Sequence, residues 1–238
     1  MSTRIYNPIY VKALFDEMSV SYEKMNYITS FGFSSIWRRQ FLQHINKNNH
    51  KPQIIDLLCG MGETWHDIKK VFPQAQLTGL DFSGEMLKKA HGKNTFLFAD
   101  KATIIQQDIL QNDLQNDYFD IVTCAFGLKT FNKNQLLILA KEVSRILKVG
   151  GQFTFIEVSA PKNIILRHLY GFYLGKIIPI IGRVFLLQPA QYQMLWQYVL
   201  LFQNARQAAS IFESVGLKIQ YNSYFYGCAT GFSGKKVS

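Results

Sequence analysis

The chain has 238 residues, of which 48% are hydrophobic and 14% aromatic, and it carries 26 Lys and Arg against 16 Asp and Glu, a formal net charge of +10. That much apolar material excludes a disordered chain, and the length fits one α/β domain with additions. The positive surplus favours an anionic partner, whether nucleic acid, an acidic ligand or an anionic membrane face. Cys59, Cys124 and Cys228 have neither CxxC nor Cys/His spacing, so neither a disulfide framework nor a metal site is expected, and buried thiols in a reducing cytoplasm suit them. No signal-peptide apolar core follows Met1, and secretion is not expected.

In chain order, residues 8–28 predict a helix or pair of helices, with Ile9, Val11, Leu14, Phe15, Met18, Tyr22 and Met25 at three- and four-residue spacing. The turn from Ser30 to Ser35 caps a second helix, in which Ile36, Trp37, Phe41 and Ile45 form the buried stripe and Arg38, Arg39 and Gln40 face outward. Ile54 to Leu58 is an apolar, β-prone run that opens into Cys59-Gly60-Met61-Gly62-Glu63-Thr64, the way a strand hands over to a nucleotide-binding loop. A short helix from Trp65 to Phe72 ends at Pro73. The strand Leu77-Thr78-Gly79-Leu80-Asp81 then delivers a second acid roughly 20 residues on, and Ser83 caps the next helix.

A third strand, Thr103 to Gln106, leads to Asp108 and Ile109, and a fourth runs from Tyr118 to Phe126. The helix from about Asn134 to Leu147 turns Leu136, Leu137, Ala140, Val143, Ile146 and Leu147 inward, stops at Gly150-Gly151 and yields to the strand Gln152 to Val158. Strands and helices alternating at this rhythm specify a parallel sheet in a doubly wound α/β fold. Residues 164–187 are rich in Ile, Leu, Tyr and Phe, yet Arg167, His168, Lys176, Arg183 and Pro179 interrupt them, so a lid or interfacial element is expected rather than a ~20-residue membrane span. Asn204 caps a last helix with Ala208, Ile211, Phe212 and Val215 inward, and Leu217 to Ser223 with Tyr224 to Thr230 predict an antiparallel hairpin at the sheet edge.

Asp56, Asp81 and Asp108, at three successive strand ends beside Gly60 and Gly62, describe a site for an adenosine-containing ligand at the carboxyl edge of the sheet. The loop lacks a third glycine three residues after Gly62, which departs from the dinucleotide fingerprint and suits S-adenosylmethionine, a ligand without a pyrophosphate. Asp81 then takes the ribose hydroxyls, Asp108 accepts from the adenine amino group with Ile109 or Phe82 against the ring, and the glycine loop holds the methionine part.

With these residues in place, the chain resembles class I S-adenosylmethionine methyltransferases, and more narrowly the ubiquinone/menaquinone C-methyltransferase family. The resemblance runs along nearly the whole chain: Phe15-Asp16, Ser21 to Asn26, Ser30-Phe31-Gly32 and Trp37-Arg38 at the N-terminus, Phe126-Gly127-Leu128-Lys129, Arg145 to Gly151, Ile156 to Pro161, Ile178 to Gly182, and Tyr192 to Leu195. Met61-Gly62-Glu63 stands where the family has Thr-Gly-Asp, Lys129-Thr130 where it has Arg-Asn, and Phe232 where it tends to have His; all three departures are expected to lie near ligand.

The resemblance implies a Rossmann-like class I fold, with a mostly parallel seven-stranded sheet and an antiparallel edge hairpin. Its single methyltransferase domain would comprise a helical cover (residues 1–50), a cofactor-binding core (51–160), a hydrophobic lid or substrate insertion (161–203) and a last helix with the edge hairpin (204–238). It also implies methyl transfer from S-adenosylmethionine to a ring carbon of a polyprenylated quinol. The cofactor set expected is Asp56, Cys59, Gly60, Gly62, Glu63, Asp81, Phe82, Met86, Asp108, Ile109, Ala125 and Phe126. Carbon methylation requires a ring hydroxyl to lose its proton, which assigns Lys129, facing the methyl position, to charge stabilisation, and Tyr22 to orienting the ring or relaying a proton. The tail and the net charge together imply peripheral contact of a cytoplasmic enzyme with an anionic membrane, although the 164–187 stretch also suits a subdomain core or a homodimer contact. A nucleic-acid methyltransferase is not expected, since no (Asp/Asn/Ser)-Pro-Pro-(Tyr/Phe) motif occurs and the basic residues are dispersed. Two other readings stay open: a divergent methyltransferase acting on another phenolic or lipid acceptor, and a catalytically silent accessory protein that binds cofactor or lipid.

Overall fold

The computed structural model describes residues 4–19, 30, 32–47, 51–177, 180 and 189–237. Its centre is a seven-stranded sheet in the order β3-β2-β1-β4-β5-β7-β6. β1 (Gln53–Leu57), β2 (Gln76–Asp81), β3 (Thr103–Gln106), β4 (Phe119–Ala125) and β5 (Leu147–Val158) run parallel, and β6 (Leu217–Tyr224) with β7 (Ala229–Lys236) forms an antiparallel pair. The inner parallel strands β1 and β4 are mostly apolar and buried because helices cover both faces. On one face α2 (Phe33–Leu42), α3 (Trp65–Val71) and α4 (Gly84–Phe98) bury Phe41, Trp65, Ile68 and Leu87 against Ile54, Leu77 and Ile121. On the other, α5 (Lys133–Ile146) and α8 (Arg206–Ser214) bury Leu139, Val143 and Phe212 against Val122, Phe153 and Phe155. α1 (Pro8–Met18), α6 (Ile164–Phe172) and α7 (Pro189–Phe202) complete the described helices of the cover and insertion.

Several boundaries differ from those the sequence predicts. β5 begins at Leu147, not Gln152, because Gly150, with a φ of 80°, carries the backbone through a register shift against β4 and lets pairing resume at Ile121 with Gln152. β7 is the strand Ala229–Lys236; Tyr224 belongs to β6, and Phe225 and Tyr226 form the turn with φ values of 40° and 53°. β7 also pairs with β5, so of this antiparallel pair β6 alone lies at a sheet edge. Leu137 lies outward at 38% exposure while Leu139 is fully buried, and the rest of the expected α5 stripe, Leu136, Ala140, Val143, Ile146 and Leu147, is inward. In α2 the buried face is Ser34, Trp37, Arg38, Phe41 and Leu42, followed by Ile45, and Ile36 is exposed. The helical spacing of that face is regular; a guanidinium simply occupies one of its inward positions.

From β1 the chain runs outward through β2 to β3 and then crosses back to β4 on the other side of β1, so the strand order reverses between the carboxyl ends of β1 and β4. In a doubly wound sheet that is where a crevice opens.

Candidate active site

A cleft enclosing about 870 Å³, its mouth included, lies at that position. Its floor is Asp56, Leu58, Cys59, Gly60, Glu63 and Thr64 after β1, Asp81, Phe82 and Met86 after β2, Asp108 and Ile109 after β3, and Ala125, Phe126 and Gly127 after β4. Tyr6, Pro8, Val11, Phe15 and Arg38 cover it from the N-terminal side.

Local chemistry explains the loop. Gly60 has a φ of 55° and donates its N–H to Asp81 Oδ2 at 2.8 Å, which ties the β1 loop to the end of β2. Gly62 has a φ of 73° and no room for a side chain, since a Cβ would stand 2.6 Å from the Trp65 ring. Gly62 therefore shapes the turn from behind and does not line the cleft, unlike every other residue of the expected cofactor set.

The two buried acids differ in their partners. Asp81 accepts from Gly60 N–H and, through Oδ1, from Ser83 N–H at 2.9 Å. Burial pushes its carboxyl up to about 6, against the opposing pull of these two N–H groups. Asp56 accepts from the Thr123 hydroxyl at 2.7 Å, a bond that joins β1 to β4, while its Oδ2 is buried with no hydrogen bond. Burial pushes Asp56 up to about 7; the charge of Glu63 adds to this, and Thr123, the nearby Trp65 indole and Arg38 oppose it. The Trp65 N–H favours the ionised acid from a distance without forming a bond of normal geometry. Asp108 binds Leu110 N–H through Oδ1 at 2.9 Å and lies at the far end of the cleft. Burial holds the Cys59 thiol well up, neutral between these acids.

Lys129 is not where the sequence reading puts it. It sits in the turn Leu128–Thr130, is 6% exposed and does not line the cleft. Its Nζ donates to Glu157 Oε1 at 2.8 Å and to the Phe126 carbonyl at 2.7 Å, while its backbone N–H binds Glu157 Oε2. A buried carboxylate on β5 holds the ammonium outside the lining of the cleft. Tyr22 lies outside the described residues. Of the three departures from the family pattern, Thr130 lines the cleft, with its hydroxyl bound to the Gly127 carbonyl at 2.7 Å, and so does Glu63, whereas Phe232 is fully buried on the opposite face. Its ring stacks on Phe155 at 5.2 Å and meets Phe212 at 4.9 Å, so an aromatic core, not a ligand, accounts for it.

The sequence reading also missed lining residues. Tyr6, Val11, Leu58, Gln135 and Phe131 carry no motif. Arg38, named in the Trp37-Arg38 motif but expected to face outward, is buried and lines the cleft. The cover is fastened locally, by Gln135 Nε2 to the Tyr6 carbonyl at 2.9 Å and by the Tyr198 hydroxyl to the Ile5 carbonyl at 2.7 Å.

The model of the ubiE/COQ5 methyltransferase family matches residues 3–236. The chain belongs to that family. It is accordingly an S-adenosylmethionine-dependent methyltransferase. A demethylmenaquinone methyltransferase of Lactiplantibacillus plantarum is 31% identical over 95% of both chains, and one of Staphylococcus aureus is 28% identical over 95% of this chain and 92% of its own. Among solved structures, a putative O-methyltransferase from Nostoc punctiforme superimposes with a TM-score of 0.65 at 14% identity, covering 93% of this chain and 60% of that one. An S-adenosylmethionine-dependent methyltransferase from Aquifex aeolicus gives 0.59 at 14% identity over 84% and 89%. These likenesses show the Rossmann-like class I fold of the methyltransferase family.

The cleft fits the cofactor on its own evidence. A buried carboxylate oxygen of Asp56 lacks a partner, and the acids of three strand ends line one continuous wall, as a ligand with a cationic end and a hydroxylated sugar requires.

Proposed function

We propose that this enzyme methylates a ring carbon of a polyprenylated quinol of the demethylmenaquinol type. The observation that supports this acceptor is an apolar groove beside the cleft, lined by Phe33, Trp37, Leu166, Leu169, Tyr170, Phe225 and Cys228. Trp37 of the groove packs with its ring 6.5 Å from that of Phe126 on the cleft floor. An aromatic head group in the cleft and an isoprenoid tail in the groove match this division of polarity. The named relatives act on demethylmenaquinone, which agrees with it.

When bound, S-adenosylmethionine supplies an electrophilic methyl group. The chain's own residues provide the rest. Asp81 and Asp108 hold the adenosine end; Glu63 and Asp56 offer negative charge to its cationic end; Phe126 and Phe131 wall the reacting face from water. Lys129 acts through Phe126. By binding the Phe126 carbonyl it holds that residue at a φ of 67°, a left-handed conformation rare for phenylalanine, and so fixes the ring in the wall.

Access to a lipid acceptor accounts for the outer face of the insertion. Ile164, Ile165, Leu169 and Phe172 on α6 are 61–69% exposed beside Lys162, Arg167 and Lys176, an apolar face rimmed by cations that suits an anionic bilayer. Among the described residues no helix is long and apolar enough to cross a membrane.

The test is to incubate the protein with methyl-labelled S-adenosylmethionine and demethylmenaquinol in anionic vesicles. Label is expected in menaquinol, with less transfer when Leu169→Glu charges the groove. Label confined to another lipid refutes the acceptor, and transfer equal in detergent and vesicles with no protein sedimenting on the vesicles refutes the membrane contact.

A further inference from the structure

Arg38 is 7% exposed, and its guanidinium is ionised at any ordinary pH. Such a group, with five donors, is normally held by two or more hydrogen bonds to an acid or to carbonyl oxygens. Here Nε is buried without a partner, and the nearest acid, Glu63, stands 4.0 Å from Nη2, beyond hydrogen-bond range. What supports the cation is the Phe126 ring, 5.1 Å below its central carbon. Side chains on both sides of that gap are closed to solvent, with 9% of Arg38 and 10% of Glu63 exposed.

The same end of the cleft holds the other unsatisfied charged group, Asp56, whose Oδ2 has no hydrogen bond. One cation and two acids, each incompletely paired, face a single cavity beside the glycine loop. Pairing among themselves is prevented by their anchors: Asp56 is tied to Thr123, Glu63 to Met61 N–H at 3.1 Å, and Arg38 is fixed in α2 with its face on Phe126. The complement of such a set is a zwitterion. A lone anion would leave the two acids repelling each other, and a lone cation would leave the guanidinium bare.

We propose that Arg38 binds the α-carboxylate of the cofactor's methionine moiety, while Asp56 and Glu63 take its α-ammonium. This rests on the cofactor placement given above and not on the identity of the methyl acceptor. It adds to the strand-end acids a cation from the cover, so that cofactor binding fastens α2 to the loop after β1. An acceptor oxygen is the rival anion for Arg38, and it fails to explain the two acids within the same pocket end.

Calorimetric titration of the full-length protein with S-adenosylhomocysteine and with its decarboxylated analogue tests the assignment. The wild type is expected to prefer the carboxylated ligand by about 10- to 100-fold, the range of charge-assisted hydrogen bonds. R38Q should lose that preference to within about threefold by weakening the carboxylated ligand alone. R38K, which keeps the charge but not the planar fork, should keep a reduced preference and serves should R38Q not fold. A preference undiminished in both variants, or both ligands weakened equally, overturns the proposal; so does a wild type that does not distinguish the two. A wild type that binds neither ligand overturns the cofactor placement itself. No quinol is present, so every result is independent of the acceptor.

Discussion

Two buried cations meet the same aromatic residue and teach opposite lessons. Lys129 approaches Phe126 through its carbonyl and is saturated by Glu157; Arg38 approaches the ring, its Nε is without a hydrogen bond among the described residues, and its nearest acid there is 4.0 Å away. Buried charges are expensive, so a complete set of partners marks a group that holds structure, and a missing set marks one kept for a ligand. Occupying a motif position does not separate the two cases, since both Lys129 and Arg38 lie in segments that carry the family resemblance.

That contrast breaks most readily at Lys129. Replacing it by Met strands the fully buried Glu157 carboxylate, and urea unfolding should show a loss of about 3–5 kcal/mol, partly regained in the Lys129→Met/Glu157→Gln double variant. A loss no greater than that of a surface substitution would erase the distinction. Next in size, Asp81→Ala should weaken S-adenosylmethionine binding by about 1–3 kcal/mol, because a charge-assisted pair is lost; calorimetry giving wild-type affinity would take Asp81 out of the site.

The third test uses pH. Asp56 is held at about 7 in the fold, against an ordinary value near 3.9, so the folded state keeps its proton more tightly than the unfolded one. Its contribution to stability is therefore complete below about pH 4 and lost as pH rises through 7. Ligand-free protein should be more stable near pH 5 than near pH 8 by on the order of 1–2 kcal/mol, and Asp56→Asn should flatten the curve. An ammonium placed beside Asp56 favours the carboxylate, so S-adenosylhomocysteine binding should tighten over the same interval with release of a proton. A pH-independent affinity would separate Asp56 from the ligand. Smallest of all, Arg38→Gln should change the stability of the ligand-free protein by about 1 kcal/mol or less, since it gives up only the contact with the Phe126 ring and a long 4.0 Å ion pair with Glu63 while removing a buried charge.

The sheet and its acids were legible because they rest on short-range rules. An inner parallel strand shows as a mostly apolar run, and Asp56, Asp81 and Asp108 follow such runs at the point where the backbone must leave the sheet. Position at the carboxyl ends of their strands then sufficed to place cleft residues such as Gly60 and Phe126 on a common edge. The directions of long side chains were not legible in that way. Lys129 turns away because Glu157, on a different strand 28 residues later, is buried behind it. Phe232 joins the core because Phe155 and Phe212 come from two further elements. In α2 the error was of another kind: the inward positions were available from periodicity, but assigning every basic residue to solvent moved Arg38 to the wrong face.

The three buried thiols extend this to motion. Cys59 lies in the cleft, Cys124 in the closed centre of the sheet and Cys228 beneath the apolar groove, and none is paired. Each reacts with an alkylating reagent only when its own surroundings open, so three labelling rates on one wild-type chain would measure separately how often the cleft, the core and the apolar groove breathe. A cofactor analogue should slow the first rate and a quinone tail mimic the third, turning an odd cysteine count into a map of which compartment each ligand closes.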